Sequence, residues 1–217
     1  CLPYDRVGPA AEISARRIAT LLRLARRKPD GPPLLVITTA SALLQKTLPR
    51  ARLLKSSFIA RPGRDIDIAA LQAYFDANGY TRSSAVREKG DFAFRGGVID
   101  LFAPGSAAPV RLDLFGDTVE TVRSFDTETQ RSTRQLAGVE LAPISEAILD
   151  PDAVSRFRSS YLKSFGAGGG DPLYEAVTKS QRRGGMEHWL SFFHDRLETV
   201  FDYLGAEALI TLDHRVN

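Results

Sequence analysis

The sequence predicts an α/β fold in three parts: an α/β segment, an inserted α+β unit and a second α/β segment. Three observations support this fold class. Apolar runs of strand length occur near both ends of the chain, helix-type periodicity surrounds them, and the middle consists of short alternating runs separated by Gly, Pro and Asp. The outer segments are compatible with one domain that is split by the insertion, although composition alone leaves this open.

The first α/β segment begins with a predicted helix over residues 10–28. Apolar residues recur there at spacings of three and four, and basic residues accumulate toward the C-terminal end, where the helix dipole favours cations. A run of Pro, Asp and Gly over residues 29–33 ends the helix. Residues 34–38, which read Leu-Leu-Val-Ile-Thr, are typical of a buried parallel strand, and residues 41–46 of a short helix.

The pattern changes near residue 55, where the inserted unit begins. Residues 65–78 predict an amphipathic helix that stops at Gly79. From residue 85 to about residue 141 the pattern is β-like. Helical patterns return after Pro143, with an interruption at residues 166–170, and residues 208–212 predict a last apolar strand.

The composition is that of an ordinary globular protein. Of 217 residues, 43% are hydrophobic and 25% are charged, and no apolar run reaches the roughly 18 residues that a membrane helix needs. One cysteine cannot form an internal disulfide, and three widely spaced histidines argue against structural zinc. We expect a monomeric, cytoplasmic protein without signal peptide or membrane contact, and the first residue, Cys1, indicates that the chain derives from a longer protein.

Basic charge is concentrated near the start of the chain. Residues 1–55 carry a net charge of +8, residues 56–140 one of −2, and residues 141–217 one of −3. The basic stretch is compatible with nucleic acid or an acidic partner, although charge runs of this kind are more often solvated helix faces. Both interpretations remain open at this point.

Sequence motifs of catalysis are missing. The chain contains no GxxxxGK[ST] phosphate loop and no GxSxG, HExxH or CxxC. The glycine-rich run at residues 166–170 does not precede a Lys-Ser/Thr helix start, so we interpret it as a flexible loop. We therefore expect no catalytic residue, no metal ligand and no cofactor-binding residue in this chain.

The most informative stretch, residues 91–117, predicts a β-hairpin closed by a loop that contains Pro-Gly. The two-residue period of a strand turns Val110, Leu112 and Leu114 toward the core, and Gly96-Gly97 is interpreted as a bulge in the first strand. The predicted outer face then shows Arg95, Asp100, Arg111, Asp113 and Phe115.

Two arginines beside an exposed aromatic residue have the composition of a binding hot spot. The competing interpretation is that Phe115 packs beneath a neighbouring helix while the charged residues pair with one another. Periodicity alone leaves both interpretations open.

Motifs along nearly the whole chain resemble those shared by UvrB and the UvrB-like region of bacterial transcription-repair coupling factors. They are Leu-Pro-Tyr-Asp at residues 2–5, Phe-Arg-Gly-Gly-Val-Ile-Asp-Leu-Phe at 94–102, Val-Arg-Leu-Asp-Leu-Phe-Gly-Asp at 110–117, Ser-Phe-Asp-Thr-Glu-Thr-Gln-Arg-Ser at 124–132, Gly-Met-Glu-His-Trp at 185–189 and Phe-Asp-Tyr-Leu at 201–204. The Gln-Arg-Ser ending and the short link between Leu48 and Arg61 resemble the coupling factors, because UvrB would carry a long DNA-clamping hairpin.

The resemblance implies a degenerate helicase-like (RecA-like) parallel-sheet domain made of residues 1–56 and 140–217. Residues 57–139 would then be an inserted UvrA-binding α+β domain with an antiparallel sheet. The family's UvrA contact, two arginines and a phenylalanine, matches Arg95, Arg111 and Phe115. These are residues that strand alternation also places on the outer face.

The resemblance also implies partners beyond UvrA, namely RNA polymerase and double-stranded DNA, for the longer family members. Their motor, which uses ATP and magnesium, would lie outside this chain. Asp213-His214 stands where UvrB carries an Asp-Glu pair for magnesium and ATP hydrolysis, which implies that this chemistry has been lost.

Three functions are therefore weighed. The first is a protein-binding module for UvrA. The second is a DNA-binding clamp of a UvrB-type excision nuclease subunit, argued from the basic residues between Arg16 and Lys28. The third is a nucleotide hydrolase, against which the missing motifs argue.

Overall fold

The computed structural model describes residues 8–28, 30–166, 168–205 and 208–212. The helices are α1 (Ala11–Ala25), α2 (Ala40–Leu44), α3 (Arg50–Lys55), α4 (Ile68–Asn78), α5 (Pro151–Phe165), α6 (Pro172–Thr178), α7 (Leu190–Phe193) and α8 (Val200–Tyr203), with a 3₁₀ turn at Met186–Trp189. The strands are β1 (Phe58–Ala60), β2 (Thr81–Arg82), β3 (Asp91–Arg95), β4 (Val98–Leu101), β5 (Val110–Phe115), β6 (Thr118–Phe125), β7 (Ser132–Gln135) and β8 (Val139–Leu141). The predicted mixture of helices and strands is confirmed.

The strands form two sheets. Six of them lie side by side in the order β2-β3-β4-β5-β6-β7, with β2 parallel to β3 and every other neighbour antiparallel. The remaining two, β1 and β8, pair antiparallel with each other, Phe58 opposite Leu141. The chain therefore enters and leaves the six-stranded sheet through one short two-stranded ribbon.

The largest core cluster lies between α4 and one face of the six-stranded sheet. Helix α4 begins at Asp67, whose carboxylate accepts the Ala70 N–H at 2.9 Å, and it ends at Gly79, whose φ of 89° places it in the left-handed region that favours glycine. The fully buried rings of Phe75 and Phe92 stack with centroids 4.4 Å apart. This packing supports the sheet from one side, and α4 does not cover the opposite face.

A second cluster joins the two ends of the chain. Ile18 and neighbouring apolar residues of α1 pack with Leu48, Ile148 and Tyr203. A buried carboxylate, that of Glu146, reinforces the contact: it accepts Thr47 Oγ1 at 2.7 Å and the Leu48 N–H at 3.1 Å, and it also pairs with Arg17. Segments that precede and follow the six-stranded sheet in the chain thus share one core. The domain limits at residues 56 and 139 remain a prediction.

A third cluster is built by α5, α6, α7 and the 3₁₀ turn. Asp150 caps α5 by accepting the Ala153 N–H at 2.9 Å, and Pro151 follows at the first helical position, where its missing N–H costs nothing. The Phe157 ring is fully buried and stacks on Phe193 at a centroid distance of 4.8 Å. The return to helix after Pro143, predicted from the sequence, is confirmed.

The two predicted parallel strands are wrong for the described residues. Neither residues 34–38 nor residues 208–212 form a strand, and Leu35, Ile37 and Leu209 are exposed. The physical reason is that a buried parallel strand needs hydrogen-bonded neighbours on both edges, and within the described ranges none lies beside either segment. Leu34 and Val36 still pack on the second cluster, so the two-residue alternation is kept without the sheet.

Asp213-His214 lies outside the described residues, so the expected loss of an Asp-Glu pair is not addressed by the structure. Over the parts of the chain that are described, no helix is long and apolar enough to cross a membrane.

Candidate protein-binding site

The outer face of the six-stranded sheet carries the predicted site residues. On β5, Val110 and Leu112 are buried in the core beneath α4, and Leu114 packs against the same cluster. Since side chains alternate along a strand, Arg111 and Phe115 point to the opposite face. The predicted division of β5 into a core face and an outer face is confirmed.

The expected bulge at Gly96-Gly97 is instead a two-residue turn. Arg95 pairs with Val98, so β3 and β4 form a tight hairpin, and Gly96 has a φ of 61°. Two-residue hairpin turns need such left-handed positions, which glycine adopts without steric cost. The turn leaves the predicted assignment of side chains to the two sheet faces unchanged, because Ile99 still lies on the core face.

Asp100 is buried rather than exposed, which corrects the sequence-based expectation. The residue does project from the outer face, where it lies directly opposite Arg111 on β5. Arg111 donates from Nε and Nη2 to the two carboxylate oxygens at 2.7 and 2.9 Å, and the Asp100 side chain is 0% exposed. The alternation pattern identified the face correctly, but it carries no information about how long arginine side chains cover a short aspartate.

Arg111 is held on several sides. Besides Asp100, its Nη1 donates to the Gln130 carbonyl at 3.3 Å, and its guanidinium lies 5.0 Å from the centroid of the Phe125 ring. The hydrogen bonds to the Asp100 carboxylate raise the pKa of Arg111 above its ordinary value, while burial acts against them and the charges of Asp100 and Asp113 act with them. Only 18% of the side chain is exposed, so Arg111 is largely occupied by contacts within the protein.

Arg95 is less constrained than Arg111. Its Nη2 donates to the Ser84 carbonyl, and its Nη1 stands 3.9 Å from Asp100 Oδ2, which is too long for a hydrogen bond. The side chain is 44% exposed. Arg95 therefore offers N–H groups to solvent at the end of β3.

Phe115 is the exposed aromatic residue of this face, at 77% exposure. It is the last residue of β5 before a two-residue turn, and it pairs with Thr118 at the start of β6. The turn is braced from the side, because Thr118 Oγ1 donates to Asp65 Oδ1 at 2.6 Å and the Ile66 N–H donates to the Asp117 carbonyl at 2.8 Å. The competing interpretation is wrong in that Phe115 does not pack under a helix, but its second part holds, because charged residues of this face do pair with one another.

The structure adds a third arginine that alternation along β5 did not reveal. Arg123 on β6 lies directly opposite Arg111, and it pairs with Asp113 through Nη2 at 2.7 Å and Nε at 3.1 Å. The sequence indicates only that Val122 and Arg123 point to opposite faces of β6. That Arg123 shares a face with Arg111 follows from the pairing of β6 with β5. A shallow cavity of about 270 Å³ opens between these side chains, lined by Arg95, Val98, Asp100, Arg111, Asp113 and Arg123.

The described part of the chain brings no three His, Cys, Asp or Glu side chains together in a way that would hold a metal ion. The chemistry that this face offers is recognition, because guanidinium donors, a shallow cavity and an exposed aromatic ring lie on the same face of the sheet.

Comparison with known proteins gives this face a context. Residues 59–146 match the family described as the UvrB interaction domain, and this range contains every residue of the outer face named above. Over 210 residues the chain is 34% identical to the transcription-repair-coupling factor of Haemophilus influenzae, covering 96% of this chain and 18% of that protein. Along almost its whole length the chain is similar to one region of the transcription-repair-coupling factors.

Two further proteins of that name show the same similarity. The transcription-repair-coupling factor of Escherichia coli is 32% identical over 212 residues, and that of Bacillus subtilis is 28% identical over 218 residues, covering 96% and 93% of this chain. The chain spans 18% of the length of these curated relatives. The resemblance stated from the sequence is therefore confirmed for one region of the transcription-repair-coupling factors.

Proposed function

We propose that this chain is the UvrA-recruiting module of a transcription-repair coupling factor, and that UvrA docks on the outer face of the six-stranded sheet. The observation that carries the proposal is the exposed Phe115 ring on the same sheet face as Arg95, within the part of the chain that matches the UvrB interaction domain. Exposed aromatic and arginine side chains on a rigid strand are the residues that most often dominate the energy of protein interfaces.

The proposal assigns Arg95, Arg111 and Phe115 to the contact. Phe115 would supply apolar surface that loses water on binding, and the arginines would pair with carboxylates of UvrA, for which planar multi-donor heads are better suited than lysine. Rigidity supports the assignment, because the strands are packed on α4 and the tip of the hairpin is braced by Asp65. A preformed surface loses little conformational entropy when a partner binds.

The role within a longer protein follows as part of the proposal. The longer protein would remove stalled RNA polymerase from damaged double-stranded DNA with a motor that uses ATP and magnesium, and this region would deliver UvrA to start excision repair. Residues 1–56 and 140–217 would be the remains of a RecA-like domain around the inserted unit 57–139. The chain itself would hydrolyse no nucleotide, because its sequence has no phosphate loop.

The second candidate, DNA binding, rests on the basic helix α1. Two arginines of α1 already pair with carboxylates, Arg16 with Glu12 and Arg17 with Glu146, and Arg26 at the C-terminal cap of α1 pairs with Glu140. Arg23 remains exposed and lines, together with Arg134, a groove of about 730 Å³ between α1 and the sheet. Since ion pairs reduce the charge available to phosphates, we rank DNA binding below UvrA binding.

The experiment that tests the proposal is a binding titration of this chain with purified UvrA, run with and without duplex DNA as a competitor. We expect saturable binding that duplex DNA does not displace. Binding that disappears with rising salt along a steep log-linear slope and that DNA displaces would favour the second candidate. An absence of binding to UvrA would contradict the proposal.

A further inference from the structure

The groove of about 730 Å³ beside α1 lies on the sheet face opposite to that of Arg95 and Phe115. One row of paired residues shows this: Val110 on β5 pairs with Ser124 on β6, and Ser124 pairs with Arg134 on β7. Paired residues share a face, and Val110 belongs to the core beneath α4. Among the described residues that line the groove, none belongs to α4, so α1 covers this corner of the sheet instead.

Two walls that are fixed within the fold bound the groove. One is α1, whose Leu22 is anchored in the second core cluster. The other is the loop between β4 and β5, which Lys89 holds by donating to the carbonyls of Pro104 at 2.9 Å and Ser106 at 3.1 Å. Residues 105–108 of this loop are Gly, Ser, Ala and Ala, and their small side chains leave room for a ligand. The groove is therefore preformed, which lowers the entropy that a ligand loses on binding.

The lining of the groove carries excess positive charge. It contains three arginines, Arg23, Arg26 and Arg134, and one carboxylate, that of Glu140. Arg26 is already engaged, because it pairs with Glu140 and donates from Nη2 to Ser57 Oγ at 2.7 Å. The other two arginines leave a positive charge of two without a counter-charge in the lining.

Arg23 and Arg134 keep their side-chain donors for a ligand. Both residues are exposed, and across the described ranges neither guanidinium has a hydrogen-bond or ion-pair partner. They belong to different elements, α1 and β7, and line the same groove. A planar guanidinium with five N–H donors is suited to carboxylates and phosphates.

Apolar side chains form another part of the lining, those of Leu22, Val110, Leu136 and Val139. A solvated charged surface does not need such a floor, and the phosphate backbone of a nucleic acid has no apolar side chain to place on it. A protein segment offers both kinds of group. In an extended segment, successive side chains point in opposite directions, so that apolar residues can face the floor while acidic neighbours face the rim.

We propose that this groove binds an extended, acidic segment of a partner protein. Its carboxylates pair with Arg23 and Arg134, and its apolar side chains lie on the floor beside Leu22. The proposal goes beyond the proposed function, because Arg95, Arg111 and Phe115 do not line the groove. The chain then has two separate protein-binding surfaces, one on each face of the sheet.

The first test uses a short acetylated peptide of alternating Glu and Leu, and a control peptide with Gln in place of every Glu. Each peptide is titrated into the isotope-labelled whole chain while the Nε–Hε NMR signals of Arg23 and Arg134 are followed. We expect both signals to shift along one saturation curve with the Glu peptide and to stay in place with the Gln peptide. No saturable shift, or equal shifts with the two peptides, would overturn the proposal.

The second test compares two double variants of equal net charge. Arg23→Gln with Arg134→Gln removes the two free arginines, while Arg158→Gln with Lys179→Gln removes exposed cations at α5 and the end of α6. We expect the first variant to bind the Glu peptide about tenfold more weakly or worse, and the second to bind it like the wild type. Equal losses would show unspecific charge attraction and contradict the proposal.

The same Arg23 and Arg134 double variant separates the groove from the outer face. We expect its Kd for UvrA to stay within about threefold of the wild-type value, because additive behaviour is normal for distant sites. Loss of UvrA affinity in a folded double variant would contradict two separate surfaces. If the wild-type chain does not bind UvrA, the proposed function fails, and the peptide titration still decides the role of the groove.

The third test fills the groove without changing its charge. Ala107 is exposed on the loop that lines the groove, so Ala107→Trp should abolish peptide binding and leave the melting curve unchanged. Peptide binding that persists in the folded variant would overturn the proposal, and for an unfolded variant the Arg23 and Arg134 double variant decides. A single-stranded oligonucleotide of equal charge is the last probe: if it binds more tightly than the peptide, and only with both arginines present, the groove is a nucleic-acid site and the proposal is wrong.

Discussion

Arg111 and Asp100 face each other across β5 and β4, and two guanidinium nitrogens donate to the two oxygens of a fully buried carboxylate at 2.7 and 2.9 Å. Arg111→Ala leaves that carboxylate unpaired, so we expect the free energy of unfolding to fall by about 3–5 kcal/mol. Arg95→Ala is the matched comparison, because Arg95 reaches the same carboxylate only at 3.9 Å, and it should cost less than about 1 kcal/mol. Urea unfolding of both variants measures this, and equal stabilities would contradict the account.

Phe115 and Leu112 lie on the same strand, β5, with opposite exposures, 77% and 0%. We expect Leu112→Ala to lower stability by about 2–5 kcal/mol, because it opens a cavity beneath α4. Phe115→Ala should change the melting temperature very little, since its ring contributes almost nothing to the core. Thermal denaturation of the two variants decides this, and a Phe115 variant that melts as early as the Leu112 variant would show that the ring is a core residue.

His194 predicts a pH dependence of stability. Burial lowers the pKa of His194 in the folded chain below its ordinary value of 6.5, and the nearby Arg52 and Arg156 act in the same direction, while the Glu146 carbonyl, which lies 3.0 Å from Nε2, and the Glu146 carboxylate act against them. As the pH falls through about 6.5, the unfolded chain gains a proton that the folded chain lacks. Stability therefore decreases toward acid pH, by at most about 1.4 kcal/mol per pH unit, until the lower folded-state pKa is passed.

His194→Gln keeps a donor for the Glu146 carbonyl but does not titrate. We expect the stability of this variant to change less with pH between neutral and mildly acid conditions than that of the wild type. Urea unfolding at a series of pH values measures the difference, and identical slopes for the two proteins would show that His194 is not the group responsible.

The absence of a phosphate loop from the sequence predicts that the purified chain hydrolyses no ATP. The measurement is phosphate release with and without duplex DNA, beside a blank that contains buffer alone. ATP hydrolysis that duplex DNA stimulates and that persists through purification would refute this prediction. It would instead favour the nucleotide-hydrolase function.

Local patterns predicted much of the fold because they depend on near neighbours. The α4 stop at Gly79 and the alternation of Val110, Arg111 and Leu112 follow from helix-ending and strand rules within a few residues. The predicted site residues Arg95 and Phe115 were exposed as expected for the same reason.

Features that depend on distant partners were not predicted. The strand-like run at residues 34–38 needs sheet neighbours, which no periodicity in the run itself reveals. Asp100 looked exposed because its burial depends on arginines from two other strands. Arg123 was not predicted as a site residue, because its position opposite Arg111 depends on the pairing of two strands and not on the local sequence.

Docking of UvrA on this face is measured by the Kd of UvrA for the whole chain with Phe115→Ala and with Arg95→Ala. The control is Phe201→Ala, which removes an exposed phenylalanine from α8. We expect the first two variants to bind about 30- to 1,000-fold more weakly in a chain that melts like the wild type, and the control to bind normally. Unchanged affinity of both folded variants for UvrA would contradict the account and place the interface elsewhere.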